Sequence, residues 1–201
     1  MIPFRLIPAR AMPLVFFAIA ILVSVSLVSL NRVVDKSNQG EVLLNSIRAL
    51  AYKISAAEWK LISEKTVDEQ SEQNLNKTYV EITKTLATAI ALDPQNSDLL
   101  SASAALGEYL KWLNEEIRLI KSGDVDEAVR LDNEEVDPAF ERLDEFLTSA
   151  QTIFSQRAER IRLATNIGLI VFILTAGTLI ATLWSNNQQS WAKTIQANIE
   201  Q

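Results

Sequence analysis

The residues of this chain that can take part in chemistry are mainly carboxylates, and they are concentrated in one stretch. Residues 121–143, KSGDVDEAVRLDNEEVDPAFERL, contain eight acids, of which seven lie before Pro138: Asp124, Asp126, Glu127, Asp132, Glu134, Glu135 and Asp137. Clustered carboxylates bind calcium or share a proton in acid–base catalysis. A calcium loop places its ligands at alternate positions around a Gly that permits a sharp turn. Because Gly123 precedes these acids and the residues after it favour helix, we expect a solvated helix face with no metal site.

The composition removes most other kinds of chemistry. The 201 residues include no His and no Cys. Without His the chain has no ordinary neutral-pH general base and no phosphoacceptor histidine. Without either residue, the usual zinc sites, thiol nucleophiles, disulfides and Ser-His-Asp triads are excluded. We therefore expect that the protein is not an enzyme and that it uses no cofactor.

A second candidate for binding lies further towards the amino terminus, where Tyr52 follows Arg48 by one helical turn. The forked guanidinium of an Arg can clamp a carboxylate ligand. Together with Trp59, these residues form a candidate site for a small-molecule or protein ligand whose identity the sequence leaves open. The alternative is an ordinary solvated Arg on an exposed helix.

The elements that must position these residues are helices, because Gly and Pro number only five each and apolar residues follow a heptad spacing through nearly all of residues 32–163. The first series is Leu43, Ile47, Leu50, Ile54, Ala57 and Leu61. The third is Leu99, Ser103, Leu106, Leu110, Leu113, Ile117 and Ile120. Breaks fall near residues 65–71, at 93–97 and at 122–124. Four such series predict an all-α fold, an antiparallel four-helix bundle.

Two uncharged stretches flank the predicted bundle. Residues 13–30 contain no charge over 18 positions, and residues 164–184 contain none over 21. A membrane-spanning helix needs about 20 apolar residues, so we expect transmembrane helices at 12–31 and 164–184. The alternatives are a cleaved signal peptide for the first stretch and a buried core helix for the second.

The charges favour one orientation in the inner (plasma) membrane. Arg5 and Arg10 precede the first span with no acid near them, which favours a cytoplasmic segment at 1–11. Residues 32–163 carry 16 Lys and Arg against 24 Asp and Glu, a net charge of −8. An acidic segment of this kind does not predict binding to nucleic acid. We expect residues 32–163 outside and residues 185–201 in the cytoplasm.

A longer run, residues 99–151, contains the whole acidic stretch and resembles part of a known family. The run LLSASAALGEYLKWLNEEIRLIKSGDVDEAVRLDNEEVDPAFERLDEFLTSAQ resembles the third and fourth helices of the four-helix-bundle sensor domain of methyl-accepting chemotaxis receptors. The matching positions are Gly123, Asp124, Ala128 and Pro138. The resemblance implies a ligand-sensing, usually dimeric bundle that passes a signal through its membrane helices. As architecture, the resemblance covers residues 12–184. After Trp184 such a receptor continues into a HAMP linker and an output domain, so the output is expected beyond residue 201 or in a partner.

The predicted function is therefore that of a transmembrane sensor module in signal transduction. The alternative is a structural membrane protein whose bundle docks another envelope protein and senses nothing. The first helix also has an outward series of small and aromatic residues, which predicts a homodimer interface: Asn45, Ala49, Tyr52, Ala56, Trp59 and Ser63. The alternative is a set of aromatic residues scattered on a solvated face.

Overall fold

A computed structural model describes residues 12–199, and nearly all of them are helical. The elements are α1 (Met12–Glu64), α2 (Glu69–Leu92), α3 (Ser97–Ser122), α4 (Val125–Leu131), a π-helical turn (Asp132–Val136) and α5 (Asp137–Ile199). None of the described residues is in a strand. The predicted all-α class is confirmed.

The three predicted breaks between helices are present, and local chemistry explains each one. After α1, Lys65 has a positive φ of 55°. The carboxylate of Asp68 then caps α2 by accepting a hydrogen bond from the Ser71 backbone N–H at 2.8 Å. Asn96 caps α3 in the same way. Gly123 ends α3 with a φ of 84°, a conformation that an L-residue with a side chain adopts at a cost.

The described chain divides between residues 31 and 32 and between 158 and 159 into two units. In the unit Arg32–Ala158, side chains of α1, α2, α3, the π turn and α5 share one hydrophobic core. Neighbouring helices pair with opposite numbering: in α1 and α5, Asn45 meets Gln151 and Arg48 meets Asp144. This is the pattern of antiparallel neighbours.

The buried stripe of α1 is offset from the predicted stripe at every second position. Leu43, Leu50 and Ala57 are only partly buried. The positions that point into the core step three and four residues along the helix: Leu44, Ile47, Ala51, Ile54, Glu58 and Leu61. In α3 the predicted Ser103 is exposed, and the buried positions are Leu99, Ala102, Ala105, Leu106, Tyr109, Leu113, Glu116, Ile117 and Ile120. Both stripes have heptad spacing, and the observed ones include an acid.

The other unit contains the remaining described residues, which lie in the first part of α1 and the last part of α5. Among the described residues, one helical stretch, Val125–Thr182, could span a membrane, because it contains an 18-residue window with a mean hydropathy of 2.1 and no buried residue. The predicted span at 164–184 falls largely within it. The predicted span at 12–31 is helical but does not add a second such candidate, and the predicted cytoplasmic residues 1–11 lie outside the described residues.

Candidate functional site

Three carboxylates from three elements meet inside the helical core. Glu58 of α1 is 2% exposed, Glu116 of α3 is 0% exposed, and Asp132 at the start of the π turn is 1% exposed. One carboxylate oxygen from each lies within 4.8 Å of the corresponding oxygens of the other two. We call Glu58, Glu116 and Asp132 the acid cluster.

Helix geometry accounts for the inward direction of the first two acids. Glu58 follows Ile54 by four residues and precedes Leu61 by three, so it occupies a core position of α1. Glu116 follows Leu113 by three residues in α3 and takes the equivalent position there. Both acids therefore replace apolar residues in otherwise regular core stripes.

The π turn directs the third acid inward. Ala128, Asp132 and Val136 are all buried although they are spaced by two successive steps of four, which suits the wider turn of a π helix. The Asp137 backbone N–H donates to the carbonyl of Asp132 five residues earlier. Pro138, directly after the turn, has no N–H to donate and disfavours a regular α-helical turn before it.

Most oxygens of the acid cluster have no hydrogen-bond partner. The Tyr109 hydroxyl donates to Glu58 Oε2 at 3.3 Å. Glu58 Oε1 and both carboxylate oxygens of Glu116 and Asp132 are buried without a partner, and so is the Tyr79 hydroxyl. Among residues 12–199, no Lys or Arg forms an ion pair with any of the three acids. Buried polar groups in folded proteins are nearly always satisfied, so these oxygens need either protons shared among the acids or a bound cation.

Burial shifts the protonation of the site strongly. It raises the pKa of Glu58 to about 10, and the charge of Glu116 acts in the same direction. Burial and the charge of Asp132 raise the pKa of Glu116 to about 8. Burial, followed by the Glu58 charge, raises the pKa of Tyr79 and of Tyr109, so both phenols stay protonated donors at neutral pH. The arrangement can hold protons or a cation, but it cannot hold three bare charges cheaply.

The predicted ligand residue Arg48 is already bound within the chain. Its Nε and Nη2 donate to the two oxygens of Asp144 at 2.9 and 3.2 Å, and its Nη1 donates to Gln151 at 3.2 Å. These bonds, led by the one to Asp144, raise the pKa of Arg48. A carboxylate ligand at this position has to displace Asp144. The ligand role of Arg48, Tyr52 and Trp59 stays a prediction.

The predicted dimer seam of α1 is an exposed surface. Asn45, Ala49, Tyr52, Ala56, Trp59 and Ser63 are all exposed. Tyr52 and Trp59 each have 52% of their surface exposed. An uncharged exposed face of this kind is what the homodimer prediction requires, and the interface itself stays a prediction.

A row of aromatic rings connects the seam with the acid cluster. Tyr52 packs edge-on against Phe140 with ring centroids 5.3 Å apart, and Phe140 packs edge-on against Tyr109 at 5.5 Å. Tyr109 in turn donates its hydrogen bond to Glu58. A change at the cluster therefore has a continuous line of packed side chains to the surface of α1.

A groove of about 440 Å³ lies between α1 and α2. Three lysines line it, Lys53, Lys60 and Lys77, together with polar residues of α2. Neither the predicted ligand residues nor the acid cluster lines this groove. Since three lysines outnumber the one carboxylate of this lining, Glu81, the groove favours anions over cations.

The expectation that the acids of the 121–143 stretch form a solvated face is wrong for Asp132. Its side chain is buried because the π turn rotates it inward. Sequence reasoning also missed Glu58 and Glu116. A signal was present: both acids occupy heptad positions of stripes that begin at Leu44 and Leu99. The acid cluster was not predicted because only apolar residues were assigned to core positions.

Arg157 of α5 forms an ion pair with Asp93. The structure places it at the surface, where its Nη1 donates to Asp93 at 2.7 Å. This ion pair joins α5 to the loop after α2.

No protein-family model, curated protein or solved structure matches this chain, so the resemblance to chemotaxis receptors stays a prediction.

Proposed function

We propose that this protein is a transmembrane sensor module of a bacterial signal-transduction protein of the chemoreceptor type. In this proposal residues 32–163 form an antiparallel four-helix bundle outside the inner membrane. Residues 12–31 and 164–184 cross the membrane, and both termini are cytoplasmic. Two such chains pair through the α1 seam.

The observation that carries the proposal is the continuity of two helices. Helix α1 runs unbroken from Met12 to Glu64, and α5 runs unbroken from Asp137 to Ile199. Each contains both an apolar stretch and residues of the core around the acid cluster. An unbroken helix transmits a small slide or rotation along its length, as signalling helices do.

The acid cluster supplies a reason for such a movement. It is buried between α1, α3 and the π turn, and its charge depends on what occupies it. An occupant that favours one packing of these elements over another shifts the population between two states. The rings of Tyr109, Phe140 and Tyr52 lie between this cluster and the α1 seam.

A crosslinking experiment in membranes tests the proposal. Since the chain has no Cys, Val28→Cys in the apolar part of α1 introduces a single thiol. The rate of disulfide formation between chains is compared in the presence and absence of the pair Glu116→Gln and Asp132→Asn. For a sensor we expect the rate to change about fivefold or more, since coupling between sites is commonly of that size.

The control in this experiment is Asp126→Asn, which removes an exposed acid outside the cluster and is expected to leave the rate unchanged. If crosslinking proceeds at the same rate with and without the cluster acids, the sensor proposal is wrong. That result favours the alternative function, a structural membrane protein that docks another envelope protein through its exposed helix faces.

A further inference from the structure

The acid cluster has the composition and geometry of a cation site. We propose that Glu58, Glu116 and Asp132 together bind one hard divalent cation, of the type of Ca²⁺ or Mn²⁺, inside the helical core. The role of this cation as the stimulus of a sensor rests on the function proposed above. The binding site itself rests on the geometry alone.

The spacing of the oxygens fits a single ion. Calcium binds oxygen at about 2.3–2.6 Å, so two ligands on opposite sides of it are separated by roughly twice that distance. The three carboxylate oxygens lie within 4.8 Å of one another, so one ion can touch all three. Because each acid comes from a different element, the three carboxylates surround the ion and do not contact it from one side only.

The second observation is the state of the buried oxygens. Glu116 is 0% exposed and neither of its carboxylate oxygens has a partner. Asp132 is 1% exposed and its oxygens are equally unpartnered. An acidic patch on a surface is solvated by water, whereas these groups are removed from it. A buried carboxylate in that condition needs a proton or a cation.

The donor set selects the class of ion. All ligands are oxygens, with no imidazole or thiolate in the chain, which favours hard cations over zinc or copper. The titratable groups that face the cluster are all acids or phenols: Glu58, Tyr79, Tyr109, Glu116, Asp132 and Asp137. Three ionised carboxylates carry one more negative charge than a divalent ion neutralises. The Tyr109 hydroxyl stabilises Glu58 through its hydrogen bond.

Cation binding at this site competes with protons. Carboxylate ligands must be deprotonated to bind a metal ion, so an incoming cation releases to the solvent any protons that these carboxylates hold. We expect the affinity for the cation to rise as the pH rises from 6 to 8.

The test uses the full chain purified in detergent, freed of metal with EDTA and titrated with Mn²⁺. Free Mn²⁺ is followed by its electron paramagnetic resonance signal. We expect one Mn²⁺ to bind per chain and Ca²⁺ to displace it. Loss of even an outer-shell partner weakens metal binding about tenfold or more, so Asp132→Asn or Glu116→Gln, which remove direct ligands, should weaken it at least as much. Asp126→Asn, the exposed control, should bind like the unaltered chain.

Unfolding does not obscure the result, because each variant replaces a buried acid with an uncharged amide of nearly the same volume. Circular dichroism in EDTA should show that both variants melt at or above the temperature of the unaltered chain. The proposal is overturned if the unaltered chain binds no Mn²⁺ at millimolar concentration. It is equally overturned if both variants bind as well as the control, since the ions then sit elsewhere.

The outcome also separates this inference from the proposed function. If Mn²⁺ binds as expected while Val28→Cys crosslinking ignores it, the site is established and the sensor role fails. If crosslinking responds to the cluster variants while no Mn²⁺ or Ca²⁺ binds, the sensor role survives and the cation site is wrong.

Discussion

Glu58 and Glu116 make the stability of this fold depend on pH in an unusual direction. Most acids in proteins are more acidic when folded, because they gain partners, and stability then rises with pH. Here the folded pKa values are raised, to about 10 for Glu58 and about 8 for Glu116, since burial penalises the charged form. At any pH between the ordinary pKa of a Glu and these raised values, the folded chain therefore binds more protons than the unfolded chain.

The first prediction follows from that sign. In EDTA, the free energy of unfolding should fall by several kcal/mol, up to about 7, between pH 5 and pH 8, because each of the two groups contributes about 1.36 kcal/mol per pH unit over most of that range. The measurement is guanidinium unfolding in detergent followed by circular dichroism. In the double variant Glu58→Gln and Glu116→Gln the dependence should flatten. A free energy of unfolding that increases between pH 5 and pH 8 would show that these acids are not protonated inside the fold.

The second prediction concerns the ion pair between Arg48 and Asp144. Its two hydrogen bonds are parallel and both side chains are less than a third exposed, at 28% and 29%. A double-mutant cycle with Arg48→Met and Asp144→Asn should give a coupling of about 1 kcal/mol, the upper end for pairs near a surface. The control is the exposed pair Lys60 and Glu64 at 3.7 Å, for which we expect less than half of that coupling.

If the Arg48 cycle gives no coupling, the guanidinium is available to an external ligand, and its candidate role in ligand binding gains support. A clear coupling means that a carboxylate ligand has to compete with Asp144. The cycle therefore decides whether Arg48 serves mainly to join α1 to α5.

At the level of elements, α1 and α5 approach closely where Gly40 faces Phe154. A Cβ atom at residue 40 would lie 2.7 Å from the Phe154 ring, which has to move. We predict that Gly40→Ala lowers the free energy of unfolding by about 1–3 kcal/mol, the usual cost of overpacking. Gly107→Ala is the matched control, since a Cβ there meets nothing within 4 Å. It should stabilise α3 by about 0.5–1 kcal/mol, because Ala favours helix over Gly. Equal effects at both positions would contradict the close approach.

The boundaries of the helices could be predicted because they depend on local chemistry. Pro94 with the Asn96 cap, and Gly123 with its left-handed backbone, act within one turn of the chain. The faces of the helices were less predictable, because in α1 and α3 the predicted and observed heptad stripes share every second position and are both largely apolar. Only tertiary packing chooses between them, and here it chose the stripes that contain Glu58 and Glu116.

The π turn could not be predicted from the apolar pattern either. A π turn adds a residue to the helical repeat, so it shifts every position before it relative to those after it. Pro138 indicated a boundary near this point, but not that Asp132 would turn inward. The acid cluster depends on this shift, since it brings the third carboxylate to the other two.

At the scale of the whole molecule, the exposed seam of α1 and the acid cluster lie on different faces of one helix. Trp59 is exposed while Glu58, its neighbour in the chain, is buried. A movement of α1 that accommodates an occupant of the cluster therefore also moves the seam. If two chains pair at that seam, a movement of α1 in one chain is transmitted to α1 of the other chain.

The last prediction tests this pairing. In membranes, Tyr52→Cys and Ala56→Cys should each form a disulfide between chains, because both residues lie on the exposed, uncharged face of α1. Disulfides require Cα atoms within about 7 Å, so only residues close to the axis of a helix pair react efficiently. Lys53→Cys, next to Tyr52 but off the seam, and Thr148→Cys, on the exposed polar face of α5, serve as controls and should react weakly. Product at both seam positions and little at the controls supports a homodimer through α1. Absence of product at positions 52 and 56 rules that interface out, and equal product at all four positions indicates random collision in the membrane.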